Sequence, residues 1–290
     1  MTTFSAPDGT RLAYEQVGSG PPLLCLPGGP GRAAAYLDDL GGLAEVRTLV
    51  LLDARATGRS EVPADPSSLR FDRLAGDVAA LRAHLGLDTA DVLGHSAGCL
   101  VAQAWAALEP ERVGRLALVT PSDGLQGGDR GDVAQVRASR SGESWYADAA
   151  AAQDALADAP PAQQQALVRA TRPFFYGRWD ARTQAHAATA DRQSSRRAEL
   201  GFAAGAEEVD VPALLAALGR LAAPVLVVGG ERDALTGVAA VRHVAASFPA
   251  AQSVVLPRAG HFPWVDEPAA FRAAVEPFLA APGTAAPGRA

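Results

Sequence analysis

The chain has 290 residues, 48% hydrophobic and 20% charged, enough for one large core with or without an inserted subdomain. Its formal charge is −6 and no Arg-rich run occurs, which excludes nucleic acid as a partner. Lysine is absent, so neither a Schiff-base lysine nor a phosphate-loop lysine can operate.

The opening residues, MTTFSAPDGTRLAYEQ, show neither a basic nor an apolar leader region, so no signal peptide is expected. After the Pro7-Asp8-Gly9 turn, residues 11–17 read as a strand, and the apolar runs at 23–26, 48–52, 91–93 and 116–120 read as buried strands. Helical spacing covers 71–85 and 99–108 between them. The rhythm breaks over 122–212, a stretch rich in Ala, Gln, Arg and Asp that carries Trp145, Tyr146, Phe174, Phe175, Tyr176, Trp179 and Phe202. It reads as a helical insertion, most of its aromatics forming its own core and some of the 174–179 cluster facing a pocket. Strands resume at 225–228 and 253–256, helices at 238–247 and 268–279. The expected organisation is a core of residues 1–121 and 213–281, the insertion at 122–212, and a disordered Ala/Pro/Gly-rich tail at 282–290.

No apolar run is long enough to span a bilayer, so no membrane partner is expected. Cys25 and Cys99 lie in separate apolar segments, usage that fits a reducing cytoplasm rather than a disulfide framework. No His/Asp/Glu cluster has metal-ligand spacing, and neither metal nor cofactor is expected.

The chemistry centres on Gly94-His95-Ser96-Ala97-Gly98, set between an expected strand and an expected helix. A serine on so sharp a turn needs small neighbours, and the turn aims its hydroxyl above the strand ends with the helix N-terminus beneath. Alone, the pattern is also what a chance match in a tight turn looks like. A serine needs an imidazole to take its proton and a carboxylate to orient that imidazole. His84 and His243 fall in expected helices, His95 in the turn and His186 in the insertion, all with structural or surface roles, His243 solvated. His261 follows a strand, between Gly260 and Pro263, in a loop suited to presenting its ring at the sheet edge. Asp233 ends another strand-to-loop run. Glu231 and Asp266 are the alternative acids, the first too early in its loop and the second placed to cap the last helix. For an oxyanion, the Ala97 N–H is one donor, and Gly29 in Pro27-Gly28-Gly29-Pro30-Gly31 is the other, since Pro30 has no N–H.

These segments together resemble the α/β-hydrolase superfamily, and within it the proline iminopeptidase-like branch. The loop at 27–31 is similar to that branch's His-Gly-Gly-Pro-Gly, and Asp53-Ala54-Arg55-Ala56-Thr57-Gly58-Arg59-Ser60 to its Asp-Gln-Arg-Gly-x-Gly-x-Ser. The stretch 259–268 resembles the superfamily's histidine loop. Pro27, Ala56 and Ala97 depart from the branch, which has His, Gly and usually Trp there. The resemblance implies an α/β-hydrolase fold, a mostly parallel sheet flanked by helices with an inserted helical cap. It also implies an acyl-enzyme hydrolase acting on an ester or amide of a small-molecule or short-peptide substrate. An aminopeptidase of this branch holds the substrate ammonium with cap acids, for which Glu143, Glu199, Glu207 and Glu208 are available; solvated surface charges are the other reading. The expected substrate-binding set is Trp145, Phe174, Phe175, Tyr176, Trp179, Glu207, Glu208, Phe262 and Trp264. A carboxylesterase, lactonase or thioesterase is the alternative activity, and a non-hydrolytic small-molecule binding protein the alternative class.

Overall fold

A computed structural model describes residues 2–128 and 131–281; the expected tail at 282–290 lies outside them. One eight-stranded sheet runs through the molecule in the order β1-β2-β4-β3-β5-β6-β7-β8. Its strands are β1 (Thr2–Ser5), β2 (Arg11–Gly18), β3 (Pro22–Leu26), β4 (Thr48–Leu52), β5 (Ala90–His95), β6 (Val113–Val119), β7 (Val225–Gly230) and β8 (Ala251–Leu256). From β3 to β8 the pairing is parallel, and only β1 and β2 run against their neighbours. The chain steps outward from β3 to β4, then crosses back so that β5 joins β3 on its other side. That reversal opens a crevice at the carboxyl ends of β3 and β5, where ligands bind in open α/β sheets.

The central strands β3, β4, β5, β6 and β7 are largely apolar because both of their faces are covered. Successive residues alternate between two cores. Leu24, Val50, Val92, Leu116 and Val227 face α1 (Ala75–His84) and α2 (Gly98–Leu108). Leu23, Leu49, Leu93, Ala117 and Leu226 face the opposite way. Between β6 and β7 come α3 (Val133–Ala138), α4 (Tyr146–Ala155), α5 (Pro161–Thr171), α6 (Ala181–Ala188), α7 (Ala190–Gln193), α8 (Arg196–Phe202) and α9 (Val211–Leu218). Of these, α9 packs on α2 and sinks Leu218 into the first core. After β7 follow α10 (Ala239–Ala245), whose Val241 and Val244 join the first core, then α11 (Pro263–Asp266) and α12 (Pro268–Ala280). Phe271, Val275 and Phe278 of α12 close the second core. No helix among the described residues is long and apolar enough to cross a membrane.

Local departures from the sequence expectation have local causes. The helix expected from 71 starts at Ala75, because the Phe71 N–H is taken by the Phe202 carbonyl (3.0 Å) and Arg70 is tied to Asp72 and Glu208. In the 53–60 loop, Asp53 accepts from the Ala34 N–H (2.8 Å) and the Arg59 N–H (3.0 Å). Arg55 there grips Asp77 with two N–H donors (2.7 and 2.6 Å), both side chains being buried. Ala56 adopts φ 59°, a left-handed conformation that costs any residue with a Cβ.

Candidate active site

At the end of β5 the chain turns through Ser96, whose φ of 52° is the strained step of the turn, and enters α2 at Gly98. The flanking glycines are sterically required. A Cβ on Gly94 would lie 2.7 Å from the Gly98 carbonyl oxygen, and one on Gly98 would lie 2.3 Å from that of Leu26. The hydroxyl of Ser96 makes no hydrogen bond to the described residues. Neither the Gly29 nor the Ala97 N–H donates to an acceptor among them. Gly28 is different: its N–H donates to the Tyr36 hydroxyl (2.7 Å), so it is engaged.

The structure brings His261 and Asp233 together, both buried, with Nδ1 of the imidazole 2.9 Å from Asp233 Oδ2. Asp233 Oδ2 also accepts the Thr236 hydroxyl (2.7 Å), and Oδ1 accepts the Leu235 (2.9 Å) and Thr236 (3.1 Å) N–H groups. Burial opposes its ionisation, but His261 and these donors outweigh burial and hold the carboxyl below its usual range. An ionised acid cannot donate, so Nδ1 carries a proton, and in the neutral ring the lone pair is on Nε2.

A second, buried histidine fixes the first. The His261 carbonyl can only accept, so His95 donates to it from Nε2–H (2.9 Å), and in the neutral ring Nδ1 accepts the proton of the Tyr36 hydroxyl (2.6 Å), which itself accepts from the Gly28 N–H. Burial, then the neighbouring His261, pushes His95 well below the ordinary imidazole value, so it stays neutral. Thr120 donates to the same carbonyl (3.0 Å).

From the other side, the Phe175 carbonyl accepts the His261 N–H (2.7 Å). The sequence placed Asp266 at a helix cap. Instead its Oδ2 accepts the N–H groups of Gly177 and Gly260 (2.8 Å each), clasping the 172–180 stretch to the histidine loop. Gly177 lies so close that a Cβ there would sit 1.7 Å from the Arg258 carbonyl oxygen. Burial raises the Asp266 carboxyl to about 6 despite the two N–H donors, and its Oδ1 has no partner.

Beside Gly29 and His261 opens a cavity of about 660 Å³. Phe175, Tyr176 and Phe262 line it, together with Pro30, Arg32, Tyr36, Leu156, Val168, Arg172, Arg196, Glu199 and others. The rest of the expected substrate set lies elsewhere. Trp145 stacks edge-on against buried Phe174 in a small separate core with Ala149 and Ala234. Trp179 packs on Tyr176, and Trp264 is buried edge-on against His95. Glu207 is solvent-exposed, Glu208 is drawn to Arg70 (2.7 Å), and Glu143 to Arg140 (3.0 Å). Glu199 does reach the cavity but pairs with Arg196 (2.9 Å). His243, expected solvated, is half-exposed and bonded to buried Asp123 (2.8 Å).

Sequence reasoning missed Arg32, Tyr36 and Thr120. Arg32 carries the one available signal, since it directly follows the Gly-rich loop. It is buried, with its guanidinium carbon 4.1 Å from the Tyr36 ring centre.

Comparison with known proteins agrees with this architecture. The alpha/beta hydrolase fold family matches residues 21–268. A pimeloyl-[acyl-carrier protein] methyl ester esterase of Chromobacterium violaceum is 31% identical over 265 residues, 88% of this chain and 92% of that protein. A proline iminopeptidase of Heyndrickxia coagulans is 34% identical over 108 residues, 37% of this chain, and the match spans only 38% of that protein's length. Among solved structures, a hydrolase from Pseudomonas aeruginosa PA01 superposes with a TM-score of 0.68 at 30% identity, covering 97% of this chain and 98% of that one. The proline iminopeptidase of Mycobacterium smegmatis gives 0.72 at 23% identity over 96% and 97% of the two chains, a likeness of fold. With a family match over most of its length, the chain belongs to the alpha/beta hydrolase fold family.

Proposed function

We propose that the protein is a serine hydrolase acting through an acyl-enzyme on a carboxylic ester of a small substrate. The observation that carries the reading is the unengaged Ser96 hydroxyl on its strained turn, together with the acceptor-free Gly29 and Ala97 N–H groups and a His261–Asp233 pair whose loop is bonded to His95, the residue before Ser96. In this reading Ser96 Oγ attacks the carbonyl carbon while His261 Nε2 takes its proton. The N–H groups of Gly29 and Ala97 receive the oxyanion. The imidazolium, stabilised by Asp233, then protonates the departing alcohol, and water repeats the sequence to release the acid. The hydrogen bond from Ser96 Oγ to His261 Nε2, absent from this structure, forms on substrate binding. Residues 122–212, less the part that packs on α2, serve as a cap over the strand ends, and Phe175, Tyr176 and Phe262 contact substrate.

An ester is favoured over a free amino-terminal peptide for a physical reason. Of the four acids offered for an ammonium, Glu143, Glu207 and Glu208 are exposed or paired with arginines away from the cavity, and Glu199, which lines it, is paired with Arg196. The relative matched along most of its length is also an ester hydrolase. The test is labelling with a neutral fluorophosphonate followed by turnover of aryl esters and of prolyl and alanyl arylamides. Ser96→Ala should abolish labelling and cut ester turnover by about 10⁴-fold or more. Unlabelled, folded wild type would overturn the nucleophile, and arylamide turnover without ester turnover would overturn the ester assignment.

A further inference from the structure

The cavity holds an electrostatic imbalance that the reaction chemistry leaves unused. Two of the guanidinium groups lining it have acids beside them, Arg172 with Asp191 and Arg196 with Glu199. Arg32 has none among the described residues. Its Nε donates to the Gln193 amide oxygen (3.0 Å) and one Nη2 N–H to the Thr189 hydroxyl (2.9 Å), both neutral. Nη1 makes no hydrogen bond to the described residues. The group is 93% buried by residue area, the complement of its 7% exposure. Burial lowers its proton affinity and outweighs the opposing influence of Tyr36 and Tyr176, while Arg172 pushes the same way as burial.

A cation so placed is costly unless something anionic completes it. A purely structural tether between the 27–31 loop and α7 would need hydrogen-bond donors but no charge. The location is specific, since Arg32 N–H donates to the Gly28 carbonyl (3.2 Å) and the guanidinium carbon lies 5.7 Å from the Phe262 ring centre, next to His261.

We propose that Arg32 is an anion subsite, and that the substrates are esters carrying a free carboxylate a few bonds from the scissile carbonyl, such as half-esters of short dicarboxylic acids. One uncompensated guanidinium neutralises one charge, which suits a carboxylate rather than a phosphate dianion, and its planar edge matches a carboxylate's two oxygens. This rests on the serine-hydrolase reading for the position of the scissile bond, not for the existence of the subsite.

The experiment compares kcat/KM for p-nitrophenyl hydrogen glutarate and for neutral p-nitrophenyl pentanoate. Wild type should favour the half-ester by about 10–100-fold, chiefly through KM, and Arg32→Gln should bring that ratio to about one or below. Arg32→Lys keeps the charge but loses the fork, so it should fall between; should Arg32→Gln fail to fold, the wild-type and Arg32→Lys ratios decide. A wild-type ratio of one or less, or a ratio unchanged in Arg32→Gln, overturns the subsite. In parallel, monoethyl glutarate is titrated into Ser96→Ala, where it should bind, and into Ser96→Ala/Arg32→Gln, where it should not. Failure of fluorophosphonate labelling with Arg32-dependent binding of monoethyl glutarate removes the hydrolase reading and leaves the subsite standing. Labelling with no Arg32-dependent binding does the reverse.

Discussion

Replacing Asp266 by asparagine should change how stability depends on pH, in a direction opposite to ordinary acid denaturation. Burial lifts this carboxyl from 3.8 to about 6. The folded protein therefore holds the proton more tightly than the unfolded chain, and stability from this group is full below about pH 3.8 and lost as pH rises towards 6. At about 1.4 kcal/mol per unit, the whole loss is about 3 kcal/mol, of which about 1.4 kcal/mol falls between pH 5 and pH 7.5. Asparagine keeps an oxygen for the Gly177 and Gly260 N–H groups and does not ionise. Urea unfolding of wild type and Asp266→Asn across that range gives the stability difference at each pH, with every other titrating group cancelling. The difference should move in favour of the variant by about 1.4 kcal/mol from pH 5 to pH 7.5. A flat difference would mean that the clasp does not titrate there, and a slope of the other sign would refute the claim that burial dominates at this carboxyl.

His186 should act with the opposite sign. Burial, then Arg32, lowers it from 6.5 to about 4, so it adds stability that is present above 6.5 and lost as pH falls. His186→Gln should spare about 3 kcal/mol of that acid-side loss in the same unfolding series. Asp77→Ala leaves the buried Arg55 guanidinium without its bidentate partner and should destabilise by about 3–5 kcal/mol in denaturant melts. Ala56→Gly relieves a left-handed residue at a smaller entropic cost, so the unfolding midpoint should rise by the equivalent of about 0.5–1 kcal/mol.

What was legible in the sequence was what a local pattern dictates. The apolar runs of β3, β4 and β7 are buried on both faces, so each stands out without reference to its neighbours. The Gly94–Gly98 turn was legible because its two glycines answer contacts only a few residues away or on the adjoining strand. β1 was missed because it is an edge strand that buries only Phe4 within TTFS, leaving no alternation to read. Asp266 and Tyr36 were misread or missed because their partners, Gly177 and His95, lie far along the chain. Aromatic density in 145–179 did not sort pocket from core, since Phe174 and Phe175 are sequence neighbours that end in different places. Of the acids offered for an ammonium, Glu208, Glu143 and Glu199 pair with Arg70, Arg140 and Arg196, partners that no local pattern announces for Glu208, while Glu207 is exposed.

The clasp at Asp266 has a mechanical consequence. The stretch around Phe175–Gly177 is fastened to the same loop that carries His261, through one bond to the histidine's own N–H and two through a shared carboxyl. On its inner side that loop is anchored to the sheet by His95 and Thr120. Swinging this part of the roof outward would therefore drag the imidazole with it, so it is a pillar and not a door. α4 and α5 lean on each other and bury little beyond Ala149, Ala152 and Thr171, yet Leu156, Gln164 and Val168 overhang the cavity. On the proposed serine-hydrolase reading, substrate enters beneath that pair, where the wall yields while His261 keeps its aim.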